Sequence, residues 1–320
     1  MEPDFPEPFL RYKKEIDAVL EGIRDAIKVT LICFHDKRKM KPFKKPSDGS
    51  NVTLADFAAQ AYITSKITRI LPEDYIISEE KLENLGKDMP LLKSLLPDDF
   101  DLDFAYSKCV DCVPEICERY WVIDPIDGTS SFIKGGQYAV GVALLVGGRV
   151  VLSFVGYPLY SGEIPGFPQT EPAIIIAVEN AGLFFSNMKG SISPIPKNTN
   201  YSNKLITSFR TSRKAKYIKN VVEALNLEVH QFSSMIKGIL VGTGHSVAYV
   251  RDFFFIERSH DIAPFDLIVR EGGGISTDGN GKPIEYLPSG TINSSSGSIF
   301  TNGPPGFHQK VVEQFRRGLQ

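Results

Sequence analysis

The chain is poor in cysteine, with four in 320 residues, which excludes a small secreted module stapled by disulfides. Three of them cluster, as Cys109, Cys112 and Cys117. The C-x-x-C pair is half of a zinc site or a redox pair on spacing alone. A structural zinc needs a fourth Cys or His at suitable spacing, and none lies nearby, so plain loop thiols are the simpler reading. Charge of one sign is also missing: 36 Lys and Arg face 38 Asp and Glu, a net −2. No global field then draws the protein to nucleic acid or to anionic lipid. Long apolar runs are absent too. The longest, Tyr138 to Gly148, ends at Arg149, well short of the ~20 residues that span a bilayer. The opening MEPDFPEPFLRYKKEID carries acids and prolines where a signal peptide needs a basic start and an apolar segment. A cytoplasmic location is therefore expected, in which the sequons at Asn51, Asn200 and Asn293 carry no meaning.

What is present suits a large folded core: 42% of residues are apolar, and the length exceeds the roughly 100–200 residues of one ordinary domain. Ile16, Val19, Leu20, Ile23 and Ile27 recur at helical spacing between Phe9 and Ile32. A second helix is expected after Thr53, with Asp56 completing a capping box and Pro72 closing it. Strands are expected at Tyr75–Ile77, Tyr120–Ile123, Ala139–Leu145, Val150–Val155, Ile174–Val178 and Leu183–Phe185, the third and fourth joined as a hairpin through Gly147 and Gly148. This part, residues 1–203, reads as helices on a largely antiparallel sheet, α+β in class. Residues 204–320 alternate instead, as α/β: strands at Leu205–Ser208, Glu228–Phe232, Val247–Val250, Gly274–Thr277 and Ser298–Thr301, with helices near 215–225, 235–241, 262–271 and 307–319.

The strongest local signal is WVIDPIDGT, a strand entering a turn that holds Asp124, Asp127, Gly128 and Thr129. Two acids three apart, with proline fixing the backbone between, can aim both carboxylates and the Ile126 carbonyl at one hard cation. Gly128 permits a sharp turn whose amides, with those of Thr129 and Ser130, offer donors to a phosphate oxygen. The same composition also suits a simple surface turn. Glu79 and Glu80 follow a strand's C-terminal end, where sheets of this kind present ligands. Asp261 opens a helical run and by itself reads as a cap, and Asp48, in KPSDGS, as a loop acid.

Taken together, Asp48 ahead of VTLADFAAQ, the Glu79–Glu80 pair, WVIDPIDGT and DIAPFDLIVREGGG resemble, in order and spacing, the inositol monophosphatase superfamily. These are magnesium-dependent, lithium-sensitive phosphatases. Within the family, VTLADFAAQ and GQYAV are most similar to the branch that hydrolyses the 3′-phosphate of 3′-phosphoadenosine 5′-phosphate. The resemblance implies a layered αβαβα sandwich. It also implies a cluster of two or three Mg²⁺ held by Glu79, Asp124, Asp127, Asp261 and the Ile126 carbonyl, with Li⁺ inhibitory. Asp48 and Thr129 are implied to act together on the attacking water, and Glu80 to support the ligands from behind. In the second half Ser234 and Lys237, three apart on one helical face, match positions that meet the nucleotide, Lys237 at its second phosphate. Arg210 and Ser212 are further substrate candidates, with Gly128 and Ser130. Two positions depart from the family pattern: His260 stands where many relatives carry Trp, and Ser130 where nucleotidases often carry Lys.

The expected partner is a small phosphorylated molecule, with no nucleic acid and no membrane. Inositol polyphosphates or monophosphates are the alternative substrates, and a non-catalytic binding protein is the remaining alternative. The basic run from Lys37 to Lys45 reads either as a solvated loop or as an attractor for a polyanion.

Overall fold

The computed structural model describes residues 5–45, 49–115, 117–159, 171–198, 200–208, 215–251, 258–293 and 296–319. The chain opens with the short α1 (Glu7–Arg11) and the long α2 (Lys13–His35). The latter buries Ile16, Val19, Leu20, Ile23 and Ile27 along one stripe and exposes Lys14, Asp17, Glu21 and Lys28 on the other side. Next come α3 (Lys37–Met40), a ribbon of β1 (Phe43–Lys44) with β2 (Asn51–Val52), and α4 (Leu54–Ile70). The capping box expected for α4 is formed: Thr53 Oγ1 accepts from the Ala55 amide at 3.1 Å, and Asp56 Oδ2 accepts from the Thr53 amide at 2.9 Å.

The chain continues through β3 (Tyr75–Ser78), α5 (Met89–Lys93), α6 (Leu102–Tyr106), β4 (Arg119–Asp127), α7 (Thr129–Ile133), β5 (Ala139–Val146), β6 (Arg149–Tyr157), β7 (Ala173–Val178), β8 (Gly182–Asn187) and β9 (Ile192–Ile195). Strands β3 to β9 form one sheet in sequence order, with β3 parallel to β4 and every later pair antiparallel. The expected hairpin joins β5 to β6 through Gly147 and Gly148 at φ of 57° and 71°, the left-handed pair that a two-residue hairpin demands. Several elements were not anticipated: α1, α3, α5, α6 and α7, of four or five residues, are too short to show a period, as are the two-residue strands β1 and β2, and Pro194 masks the edge strand β9.

The rest alternates as anticipated: β10 (Lys204–Ser208), α8 (Lys216–Leu225), β11 (Glu228–Phe232), α9 (Ile236–Gly242), β12 (Ala248–Arg251), α10 (Ser259–Glu271), β13 (Ile275–Asp278), β14 (Ser298–Thr301) and α11 (Phe307–Leu319). The second sheet runs β11-β10-β12-β14-β13, with β10 parallel to both neighbours and β14 antiparallel to both of its own.

Strand alternation sets the layers. Trp121, Ile123, Val140, Val142 and Leu144 pack on α2 and α4. Their neighbours Tyr120, Val122, Ala139, Ala143 and Leu145 turn to the opposite face and pack against α9 and α10. Ile206, Tyr249 and Phe300 of the second sheet cover those helices from the far side. Leu205, Val250 and Ile299 then face outward onto α8 and α11. The order is helix, sheet, helix, sheet, helix, and strands covered on both faces read as unbroken apolar runs such as AVGVALLV.

Candidate active site

Strand β4 delivers two carboxylates through an irregularity. Asp124 lies opposite Gly141 and Asp127 opposite Ala139, so three residue steps on β4 span two on β5. In a regular strand, residues three apart point to opposite faces. The extra residue at Pro125–Ile126 brings both acids to the same face, as a bulge does. That face is shared with Tyr120 and Val122 and looks toward α10, whose first turn carries Asp261. One carboxylate oxygen from each of Asp124, Asp127 and Asp261 lies within 4.8 Å of the other two. Asp261 also caps its helix, accepting from the Arg258 amide at 3.2 Å. The cap and the cluster are roles of one side chain.

Glu79 follows β3, its amide donating to the Ile123 carbonyl at 3.1 Å, and its carboxyl group meets that of Asp124. Lys45, just after β1, reaches in with Nζ 2.9 Å from Glu79 and 2.7 Å from Glu80. Burial by itself lowers the Lys45 pKa, but the two glutamates outweigh it and hold the ammonium charged above its ordinary value. Glu80 is buried, with its amide on Gln60 Oε1 at 2.9 Å. Burial, then the charges of Glu79, Asp127 and Asp261, push Asp124 well above the usual carboxylate range. Burial raises Asp127 too, with Lys237 and Arg251 opposing.

Thr129 is the first residue of α7, placed there by Gly128 at φ 92°, a conformation that suits glycine. Its hydroxyl lies 2.9 Å from the Ile126 carbonyl and 3.3 Å from Asp56 Oδ1. Asp48, the expected partner of Thr129, falls outside the described residues. Asp56 was read from sequence as a capping acid alone. It is fully buried, and burial first of all pushes its pKa to about 7.

The donor set fits a hard divalent cation. Oδ1 of Asp124 is buried and meets no donor among the described residues, and three carboxylates converge where Lys237 and Arg251 offset only part of their repulsion.

On the substrate side, Gly128 backs onto Ser234, whose Cβ lies 3.3 Å from where a Gly128 Cβ would stand. Ser234 is buried at φ 63°. Lys237 is buried in the first turn of α9, 5.3 Å above the Tyr249 ring, and its charge acts on Asp127. Arg251, at the C-terminal end of β12, acts on the same carboxylate; its position at a strand's C-terminal end was the available signal. Ser130 accepts from Asn51 Nδ2 at 3.0 Å. Arg210 and Ser212 lie outside the described residues. Beside the turn is a recess of about 350 Å³ lined by Ser131, Gly136, Gln137, Gln231, Phe232 and Ser233.

The chain is thus a five-layered sandwich with an acidic cluster between its first sheet and central helices. The sequence profile of the inositol monophosphatase family matches residues 13–319, and the chain belongs to that family of phosphomonoesterases. A 3′(2′),5′-bisphosphate nucleotidase of Emericella nidulans is 27% identical, over 97% of this chain and 100% of its own. One from Schizosaccharomyces pombe is 26% identical over 83% and 84%. Among solved structures, the IMPase of Thermotoga maritima superposes with a TM-score of 0.64 at 21% identity, covering 95% of this chain and 98% of that one. CysQ from Bacteroides thetaiotaomicron gives 0.61 at 19%, covering 91% and 98%.

Proposed function

We propose that the protein is a Mg²⁺-dependent, Li⁺-sensitive phosphatase that removes the 3′-phosphate of 3′-phosphoadenosine 5′-phosphate, yielding AMP and phosphate. The observation that carries this is the convergence of Asp124, Asp127 and Asp261 within 4.8 Å, beside a threonine hydroxyl whose proton is already engaged. Relatives that are bisphosphate nucleotidases over nearly the full chain support the substrate. Among the described residues no helix is long and apolar enough to cross a membrane, and a cytoplasmic site of action goes with this reading.

On this reading Glu79, Asp124, Asp127, Asp261 and the Ile126 carbonyl hold two or three Mg²⁺. The chemistry Mg²⁺ supplies when bound is Lewis acidity, making water more acidic and neutralising charge on the phosphoryl group. Thr129 donates its hydroxyl hydrogen bond to the Ile126 carbonyl or Asp56, so its lone pairs accept a hydrogen bond from the attacking water and orient it toward phosphorus. Asp48 joins Thr129 in that task. The P–O3′ bond breaks as the water oxygen bonds phosphorus in line; one of the water's protons stays on the released phosphate, and the ribose 3′-oxygen takes up a proton that balances the other. No phosphoenzyme forms. The amides of Gly128, Thr129 and Ser130 orient the phosphate, and Ser234 and Lys237 hold the nucleotide, Lys237 at its second phosphate, with Arg210 and Ser212 as further substrate candidates. Glu80 supports Glu79 from behind.

The deciding measurement is kcat/KM for 3′-phosphoadenosine 5′-phosphate over that for inositol 1,4-bisphosphate, with Mg²⁺ and with or without Li⁺. A ratio far above one, with activity abolished by Li⁺ and by Asp124→Asn, is expected. A ratio at or below one moves the protein to inositol phosphates, a reading that the inositol monophosphatase structural neighbours favour. Equal inactivity of wild type and Asp124→Asn on both substrates removes the enzyme reading.

A further inference from the structure

Lys45 ends the basic run, and it differs from the rest of it. Arg38 lies on Asp36 and Lys41 on Asp88, and Lys37, Lys39 and Lys44 are exposed, all as a solvated surface requires, although the run forms α3 and β1 and not the loop expected. The Lys45 side chain is 6% exposed and inserts between Glu79 and Glu80. Its backbone is anchored on both sides, the amide donating to Ser50 O and the carbonyl accepting from the Gly49 amide, each at 2.9 Å. The ammonium is thus held in place by the fold.

Glu79 stands between this ammonium and the cluster of Asp124, Asp127 and Asp261, since its carboxyl group touches Lys45 on one side and Asp124 on the other. Glu80 keeps Oε1 on Lys45, while its Oε2 is buried and meets no donor among the described residues. Lys45 therefore has a second carboxylate with unused acceptor capacity on which to rest. An ammonium is a compact charge that any neighbouring divalent cation repels strongly at low dielectric, and both draw on the same Glu79 oxygens.

We infer that Lys45 is a tethered cation that competes with Mg²⁺ for Glu79: it holds that carboxylate in position and passes wholly to Glu80 as a divalent ion takes Glu79. Lys45 is a positioning residue, and through it the chain sets the metal affinity of its own cluster below what the carboxylates by themselves confer. The inference rests on the metal site of the proposed function and concerns how this chain's lysine tunes it.

The test uses the full chain and Mn²⁺ as probe, without substrate, with free Mn²⁺ measured by electron paramagnetic resonance. Lys45→Met removes the competitor but also one positive charge. The double variant Lys45→Met, Glu80→Met removes the competitor at unchanged net charge, and it replaces a buried ion pair by apolar side chains, a change proteins often tolerate. Mn²⁺ binding about tenfold tighter than wild type is expected in both. Tightening in the single variant only reduces Lys45 to a contributor to the local field, and affinity that is unchanged or weaker in the double variant makes it a structural prop. Either result overturns the inference. Asp124→Asn separates this from failure of the metal site itself. If wild type binds no Mn²⁺ that Asp124→Asn loses, the proposed function falls; if it does, and the double variant shows no gain, only the competition falls.

Discussion

Asp56 bonds in two directions. Its Oδ2 takes the amide and hydroxyl of Thr53, at 2.9 and 2.6 Å, and its Oδ1 faces Thr129. Replacing it by asparagine keeps the shape but weakens both contacts. Asp56→Asn is expected to lower stability by about 1 kcal/mol through the helix cap and also to depress kcat, as read by denaturant titration and steady-state kinetics on one preparation. Thr129→Ala leaves the cap intact and is expected to cost about a hundredfold in kcat with little change in KM, because its hydroxyl orients the water and does not hold the substrate. A loss confined to KM contradicts that role. At this scale sequence was half informative. The acids of WVIDPIDGT were legible because their spacing is local. The Asp56 contact with Thr129 joins residues 73 apart in the chain, and a capping box already accounted for Asp56.

Helices α2 and α4 meet at Gly22, where a Cβ would sit 2.9 Å from the Ile63 Cα. Helix propensity favours alanine there by about 1 kcal/mol, but the backbone of α4 has no rotamer by which to yield. Gly22→Ala is expected to cost about 1–3 kcal/mol in overpacking, so a raised Tm would show that the helices can separate. At the other end of the molecule, His308 ties α11 to the second sheet, with Nε2 2.9 Å from Thr277 Oγ1 and Nδ1 2.9 Å from Thr301 Oγ1. Burial lowers its pKa, so between that value and the unfolded value of about 6.5 the unfolded chain binds more protons. The contribution of neutral His308 is full above that unfolded value and is lost as pH falls below it. Denaturant stability measured at pH 7.5 and 5.5 should therefore fall less steeply in His308→Gln than in wild type. An identical pH dependence would place His308 outside this effect. Element type and order were legible in the sequence wherever a period or a cap repeats over more than about one turn. The five-residue α5 and α6 fall below that length, and so does the edge strand β9.

Across the whole molecule, the cluster draws Asp124 and Asp127 from β4 of the first sheet and Asp261 from α10 in the central layer. A ligand joining elements 134 to 137 residues apart stabilises the native state by mass action. Saturating Mg²⁺ is expected to raise Tm by several degrees. Chelation should reverse the gain, and Asp124→Asn should not show it. A gain that persists in Asp124→Asn places the ion elsewhere. The sequence by itself determined the periodicities, the caps, the Gly147–Gly148 hairpin, the change from α+β to alternation near residue 204, and the identity of the acids, because each is written in neighbouring residues. The family resemblance implied which acids meet, but only the tertiary structure decided how. The bulge at Pro125–Ile126 turns two carboxylates to one face, the layer order sets α10 opposite them, and the anchored β1–β2 ribbon lodges Lys45 between Glu79 and Glu80. Those outcomes depend on register and on packing between distant segments, where a shift of one residue reverses the direction of every side chain.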